Sequence, residues 1–169
     1  MTGVHTMNAS LTQGRYFLTF LRRMLADLEP RHVALEPAAG LKTAGWMVGH
    51  LAVTGDFARR LCGAEVALCP PDWRGLFAPG SRPALVAAEY PPLAELCAVT
   101  PEIYTGLFAT AERVSPEALA IANPYEAARN GFPTVGDFVA YLASGHFGYH
   151  LGQLALWRAA VGLPARGTG

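Results

Sequence analysis

Apolar residues recur at steps of three and four along four stretches of the chain, the spacing of one helical face. The first runs from Ser10 to about Leu28, through Leu11, Leu18, Leu21, Leu25 and Leu28, widened by Phe17 and Met24. Glu29-Pro30 ends it, because a residue before proline is driven out of the helical region. The second follows Thr43, a suitable N-cap, and carries Met47, His50, Leu51, Thr54, Phe57 and Leu61 to Cys62. Gly63 then supplies a C-terminal stop. The third stretch spans Pro92 to about Val114 and keeps Leu93, Leu96, Cys97, Thr100, Tyr104, Leu107, Phe108 and Ala111 on one side. Its stripe stays in phase across Pro101, which predicts one kinked helix and not two. The fourth begins at Thr134, with Asp137 as the reciprocal partner of a capping box, and runs to about Val161. Its inward set is Val135, Phe138, Val139, Leu142, His146, His150, Gln153, Leu154 and Trp157.

The segments between these stripes are rich in proline and glycine. Residues 1–8 read as a loose arm and 30–42 as a loop. Gly63 to Pro92 has no sustained period, and a connection that long inside a small domain usually has a role. Trp73, Leu76 and Phe77 should anchor it over one end of the core. Ser115-Pro116-Glu117 starts a short turn, and residues 120–133 are irregular. The expected architecture is all-α, a four-helix bundle with a long crossover between helices 2 and 3, forming one domain over 1–169.

Composition narrows the function. The hydrophobic fraction of 51% against 15% charged residues argues for a well-buried core and against disorder. A formal net charge of +0 without charged blocks gives no reason to expect nucleic acid or an anionic membrane as partner. Lys42 is the sole lysine. The three cysteines, Cys62, Cys69 and Cys97, lie in no Cys-x-x-Cys spacing and fit reduced thiols acting as small hydrophobes. With no signal peptide and no long apolar run, the expectation is a cytoplasmic protein. Phosphate loops, dinucleotide fingerprints and nucleophile-elbow motifs are missing from the sequence.

The chemistry concentrates in the histidines. His146 and His150 are one helical turn apart, so both rings leave from one face. His50 lies on the buried stripe of the second helix. Three neutral imidazoles from two helices would make a tripod with open coordination positions, as catalytic metal sites have and closed structural zinc sites do not; the alternative is that His50 is a satisfied core residue and His146 and His150 are partly exposed near a helix end. Such donors suit zinc, nickel, copper or iron. Gln153, one turn past His150, either orients a ligand or ties the helix to a neighbour. Trp46, one turn before His50, either walls the site or packs the core. Among Tyr16, Tyr104 and Tyr149, spacing selects no hydroxyl for the pocket. Asp56 and Arg59 read as solvated surface.

Two segments, Gly45-Trp46-Met47-Val48-Gly49-His50-Leu51 and His146-Phe147-Gly148-Tyr149-His150-Leu151-Gly152-Gln153-Leu154, resemble the DinB-like superfamily. That group includes the DinB/YfiT proteins and bacterial thiol transferases. The resemblance implies a four-helix bundle, a homodimer, and a divalent ion, zinc or nickel, held by His50, His146 and His150. It also implies a metal-dependent transferase or hydrolase in which a small-molecule thiol or water is activated as nucleophile. The alternative is a stress-associated dimer that binds a metal or small ligand without turnover. The family often has an acidic residue directly after the first paired histidine; here Phe147 stands there, so no acid–base role carries over to that position.

Overall fold

The computed structural model describes residues 2–164 and 166, with side chains from residue 7 onward. The chain is all-α: among the described residues there is no strand, only an isolated antiparallel bridge between Ala122 and Thr134. In order, the helices are α1 (Thr2–Leu25), α2 (Ala44–Leu61), α3 (Trp73–Phe77), α4 (Leu93–Ala111), α5 (Pro116–Leu119), α6 (Val135–Ala140) and α7 (His146–Ala160). A π-helical segment, Tyr141–Gly145, joins α6 to α7 without a break. Helix α1 packs on α4 and on the α6–α7 rod, α2 packs on the same two from its own side, and α3 lies on α2. All four long stretches feed one core, including Leu11, Leu21, Met47, Leu51, Leu107, Phe147 and Leu154.

The caps form where the sequence places them. Thr43 Oγ1 accepts from the Trp46 amide, and Thr134 and Asp137 form the reciprocal box. Gly63, at φ +90°, takes the left-handed turn that ends α2, which a side chain would resist. Helix α4 continues through Pro101 as expected. Trp73 and Phe77 are buried and hold the 62–92 connection against the core.

Several expectations are corrected. There is no loose arm: residues 2–8 are the first turns of α1, and Met1 lies outside the described residues. Helix α1 also stops at Leu25, three residues short of Leu28. Phe57, expected inside, is 38% exposed. The reverse holds for Asp56 and Arg59, which are buried and not solvated. Arg59 donates to Asp56 at 3.0 and 2.7 Å and to the Val66 carbonyl, while the Leu68 amide donates to Asp56 at 3.2 Å. The pair stitches the start of the long connection back onto α2. Helical periodicity alone cannot distinguish a charged residue facing water from one facing a loop that folds over it.

The π segment was also not foreseen. A π turn inserts one residue and rotates everything after it relative to everything before. It falls directly before His146.

Candidate metal centre

Helix α2 delivers His50 and α7 delivers His146 and His150. One nitrogen from each ring lies within 4.8 Å of the others. His50 and His150 are buried; His146 is partly buried, though its Nδ1 is closed off from solvent. The ring centroids are 4.7 Å apart for His50 and His150, 4.5 Å for His146 and His150, and 5.2 Å for His50 and His146.

Two rings have their tautomers set by what they touch. His50 Nδ1 donates to the Phe77 carbonyl at 2.7 Å, which leaves Nε2 bare. His150 Nδ1 donates to Gln153 Oε1 at 2.8 Å, and Gln153 Nε2 in turn donates to the Tyr149 hydroxyl at 3.0 Å. A carbonyl oxygen can only accept, so each contact requires a proton on Nδ1 and leaves the lone pair on Nε2. Metal-ligating histidines are oriented in the same manner. His146 Nε2 lies 3.2 Å from His50 Nε2. Two ligands on a tetrahedral ion with bonds near 2.1 Å stand about 3.4 Å apart, so this separation suits a shared ion. His146 Nδ1 is buried with no hydrogen-bond partner, so nothing fixes the tautomer of the third ring. On donor type, tautomer and spacing, the three residues fit a divalent ion.

Burial keeps the site neutral. It is the leading cause that pushes His146 down to about 3, helped by His150 and His50, and His150 down to about 4, helped by His50. His50 is lowered as well, again chiefly by burial. Neutral imidazole is the form that binds metal. The unfolded chain protonates these rings near 6.5, whereas the folded one resists until about pH 4 and then 3. Their contribution to stability is therefore full above about 6.5 and is lost as pH falls from there through the folded values. Urea denaturation of metal-free protein should show a decline of about 1.4 kcal/mol per pH unit for each such ring between pH 6 and pH 4. A flat profile in that range would mean the rings are not buried neutral.

The packing around the rings explains how Phe77 reaches them. A Cβ at Gly49 would stand 2.6 Å from the Phe77 ring. Glycine there lets the Phe77 ring lie directly on α2, one residue from His50, and brings the Phe77 carbonyl into reach of the imidazole. Trp46 stacks on His50 with centroids 4.6 Å apart and planes at 10°, and its Nε1 donates to Ser81 Oγ at 2.9 Å. It walls the site and fastens the connection above it.

No family model matches the chain, and no curated protein or solved structure was found similar to it. The likeness seen in the two histidine segments therefore stands on those residues alone.

The three histidines foreseen from sequence converge, and Gln153 does touch His150. Of the three tyrosines, only Tyr149 joins the network; Tyr16 is exposed, and Tyr104 is buried in the core with its hydroxyl unpartnered. Phe147 faces away from the site and stacks on Tyr104 at 3.8 Å. The cysteines take no part: burial pushes Cys62 and Cys69 up to about 12 and Cys97 to about 11, so all are protonated at neutral pH. Sequence reasoning missed the Phe77 carbonyl, which no side-chain motif can announce, and Ser81, which only the folded connection brings to Trp46.

Proposed function

We propose that the protein is a metal-dependent enzyme of the DinB-like kind, using a small thiol or water as nucleophile for S-transfer or hydrolysis. The observation that supports this most is that His50 and His150 each have Nδ1 engaged by an oxygen acceptor, in a cluster where one nitrogen of every ring lies within 4.8 Å of the others. A divalent ion, with zinc or nickel as the expected identity, would supply Lewis acidity that makes a thiol or water nucleophilic near pH 7.

The chain's residues do the rest. His50, His146 and His150 would hold the ion from one side and leave the remaining positions open. The Phe77 carbonyl and the Gln153 amide keep two of those rings from turning. Trp46 shields the His50 face from water.

A binding protein without turnover is the second reading. Phe147, fully buried against Tyr104, favours it, because no base can act from that position. Elemental analysis of untagged protein, followed by assays of thiols with electrophiles before and after chelation, separates the two. Stoichiometric zinc or nickel with chelator-sensitive turnover is the expected result. Bound metal without turnover on any pair would favour the binding protein.

A further inference from the structure

Two of the chain's tryptophans have their indole N–H groups hydrogen-bonded. Trp46 Nε1 donates to Ser81 Oγ at 2.9 Å, and Trp157 Nε1 donates to the Leu35 carbonyl at 2.8 Å. The third, Trp73, lies as deep as either, at 1% exposed, and packs edge-on against Phe77 with centroids 5.8 Å apart. Yet no acceptor among the described residues meets its Nε1, and that atom is not one of those closed off from solvent. The sliver of the ring that stays accessible therefore includes the N–H, a group that donates and cannot accept. Buried donors are satisfied as a rule, so this one calls for an oxygen that the chain does not supply.

The surface Trp73 presents belongs to a cleft of about 320 Å³ between the start of α3 and the start of α4. Trp73, Leu76 and Tyr90 give the cleft its apolar wall, and Asp72, Glu89 and Glu95 are the charged residues that line it, with no lysine, arginine or histidine among the lining residues. None of the three carboxylates is in an ion pair among the described residues. Asp72, at the N-cap of α3, makes no capping bond from its side chain. The helix dipole favours an acid in the first turn of α4, which accounts for Glu95 and leaves the other two unexplained. Three unpaired like charges around one cleft repel one another, and a cation among them would relieve all three. A metal ion is not that cation. Among the described residues only the histidines bring three ligand atoms within 4.8 Å, so these carboxylates are too far apart to share a point charge. An extended organic cation spans such a spread and suits the apolar wall as well.

We propose that this cleft binds a small organic cation, an amine or guanidine, that also carries an uncharged oxygen to accept from the Trp73 N–H. The volume is at the lower end for ligand pockets and suits a molecule of the size of an amino-acid amide. A free amino acid is a poorer fit, because its own carboxylate would face the three of the cleft. No histidine lines the cleft, so the inference is independent of the metal reading.

The test is a titration of the full chain, isotope-labelled and followed at its indole N–H resonances by NMR. Nα-acetylarginine amide is compared with Nα-acetylcitrulline amide, which keeps the shape and loses the charge, and with butylguanidine, which keeps the charge and loses the carbonyls. The arginine amide should move the Trp73 resonance downfield to saturation and leave those of Trp46 and Trp157 in place. It should bind about tenfold more tightly than the citrulline amide, because exposed charge pairs each contribute modestly, and added salt should shrink that margin. Butylguanidine should bind without the downfield shift. Asp72→Asn combined with Glu89→Gln should remove most of the preference for arginine over citrulline, and both side chains are exposed, so the fold should hold. Trp73→Phe should bring the arginine amide down to the affinity of butylguanidine; if that variant folds poorly, the carboxylate variant and the ligand series carry the test. No saturable shift at Trp73, equal binding of the arginine and citrulline amides, or an undiminished preference in the carboxylate variant would overturn the proposal.

Discussion

If the proposed metal-dependent reaction is the protein's, His150→Ala should abolish turnover and lower metal affinity by at least about a hundredfold, while far-UV circular dichroism should hardly change. His150 supplies one of the cluster's three nitrogens, and no other histidine, cysteine or carboxylate belongs to it among the described residues. A lost ligand leaves two imidazoles, too few to hold an ion against water. The helix survives because its ends are set elsewhere, by the Thr134–Asp137 box and the turn after Ala160. Truncating a buried ring also leaves a cavity, so some stability in metal-free buffer should be lost while the helices persist. Gln153→Ala is the graded companion. It frees the His150 ring to turn without removing a ligand, and should cost 10–100-fold in metal affinity or activity, as expected for about one lost outer hydrogen bond. Metal competition with a chromophoric chelator, alongside the thiol assay, reads both. His150→Ala turning over thiols at the wild-type rate in chelator would show that the ion is not catalytic.

Arg158→Ala is expected to be the most damaging single change to stability, at about 3–5 kcal/mol. Arg158 has no exposed surface, yet it carries a charge. Its Nη1 donates to the Met24 carbonyl at 2.6 Å and to Asp27 at 2.8 Å, its Nη2 to Asp27 at 2.9 Å, and its Nε to the Pro164 carbonyl at 2.7 Å. One guanidinium thus joins the end of α7, the end of α1 and the chain after Gly162. Alanine would strand the carbonyls, leave Asp27 with only Arg166 at 3.1 Å, and open a cavity. Lysine would not rescue it, since a single ammonium cannot replace the bidentate fork. The hydrogen bond from Arg158 is also the main cause holding Asp27 below its ordinary value. That part of the stability is present above about pH 3.8 and is lost as pH falls through the folded value. Urea unfolding at pH 7 checks the main effect through a lower midpoint at unchanged slope. A loss below about 1 kcal/mol would show that the fork contributes no more than a surface pair.

The contrast between those two residues shows what kind of information each carries in the sequence. His146 and His150 are visible because one helical turn separates them, and a local spacing survives any tertiary arrangement. His50 was visible because its neighbours Met47, Leu51 and Thr54 mark the inward face. Arg158 was invisible, since an arginine among Leu154, Trp157 and Val161 looks like a helix surface until Asp27 and Met24 are brought to it from 131 and 134 residues away. Asp56 and Arg59 were misread for the same cause.

Four long helices, their caps at Thr43 and Thr134, the continuous run through Pro101 and the inward phase of the histidines all follow from contacts within a few residues. Such contacts are written in local spacing, and the sequence alone suffices for them. The start of α1 does not belong to this group, because nothing in residues 2–8 supplies an apolar stripe as clear as the one beyond Ser10. Nor does the π segment, whose extra residue depends on how Tyr141–Gly145 meets the helices around it. The Phe77 carbonyl on His50, Ser81 on the Trp46 indole and the Asp56–Arg59 clasp all belong to the 62–92 connection or to what it covers. An irregular segment has no period from which its path can be read, so its course, and with it the surroundings of the three imidazoles, is set only when the helices are packed beneath it.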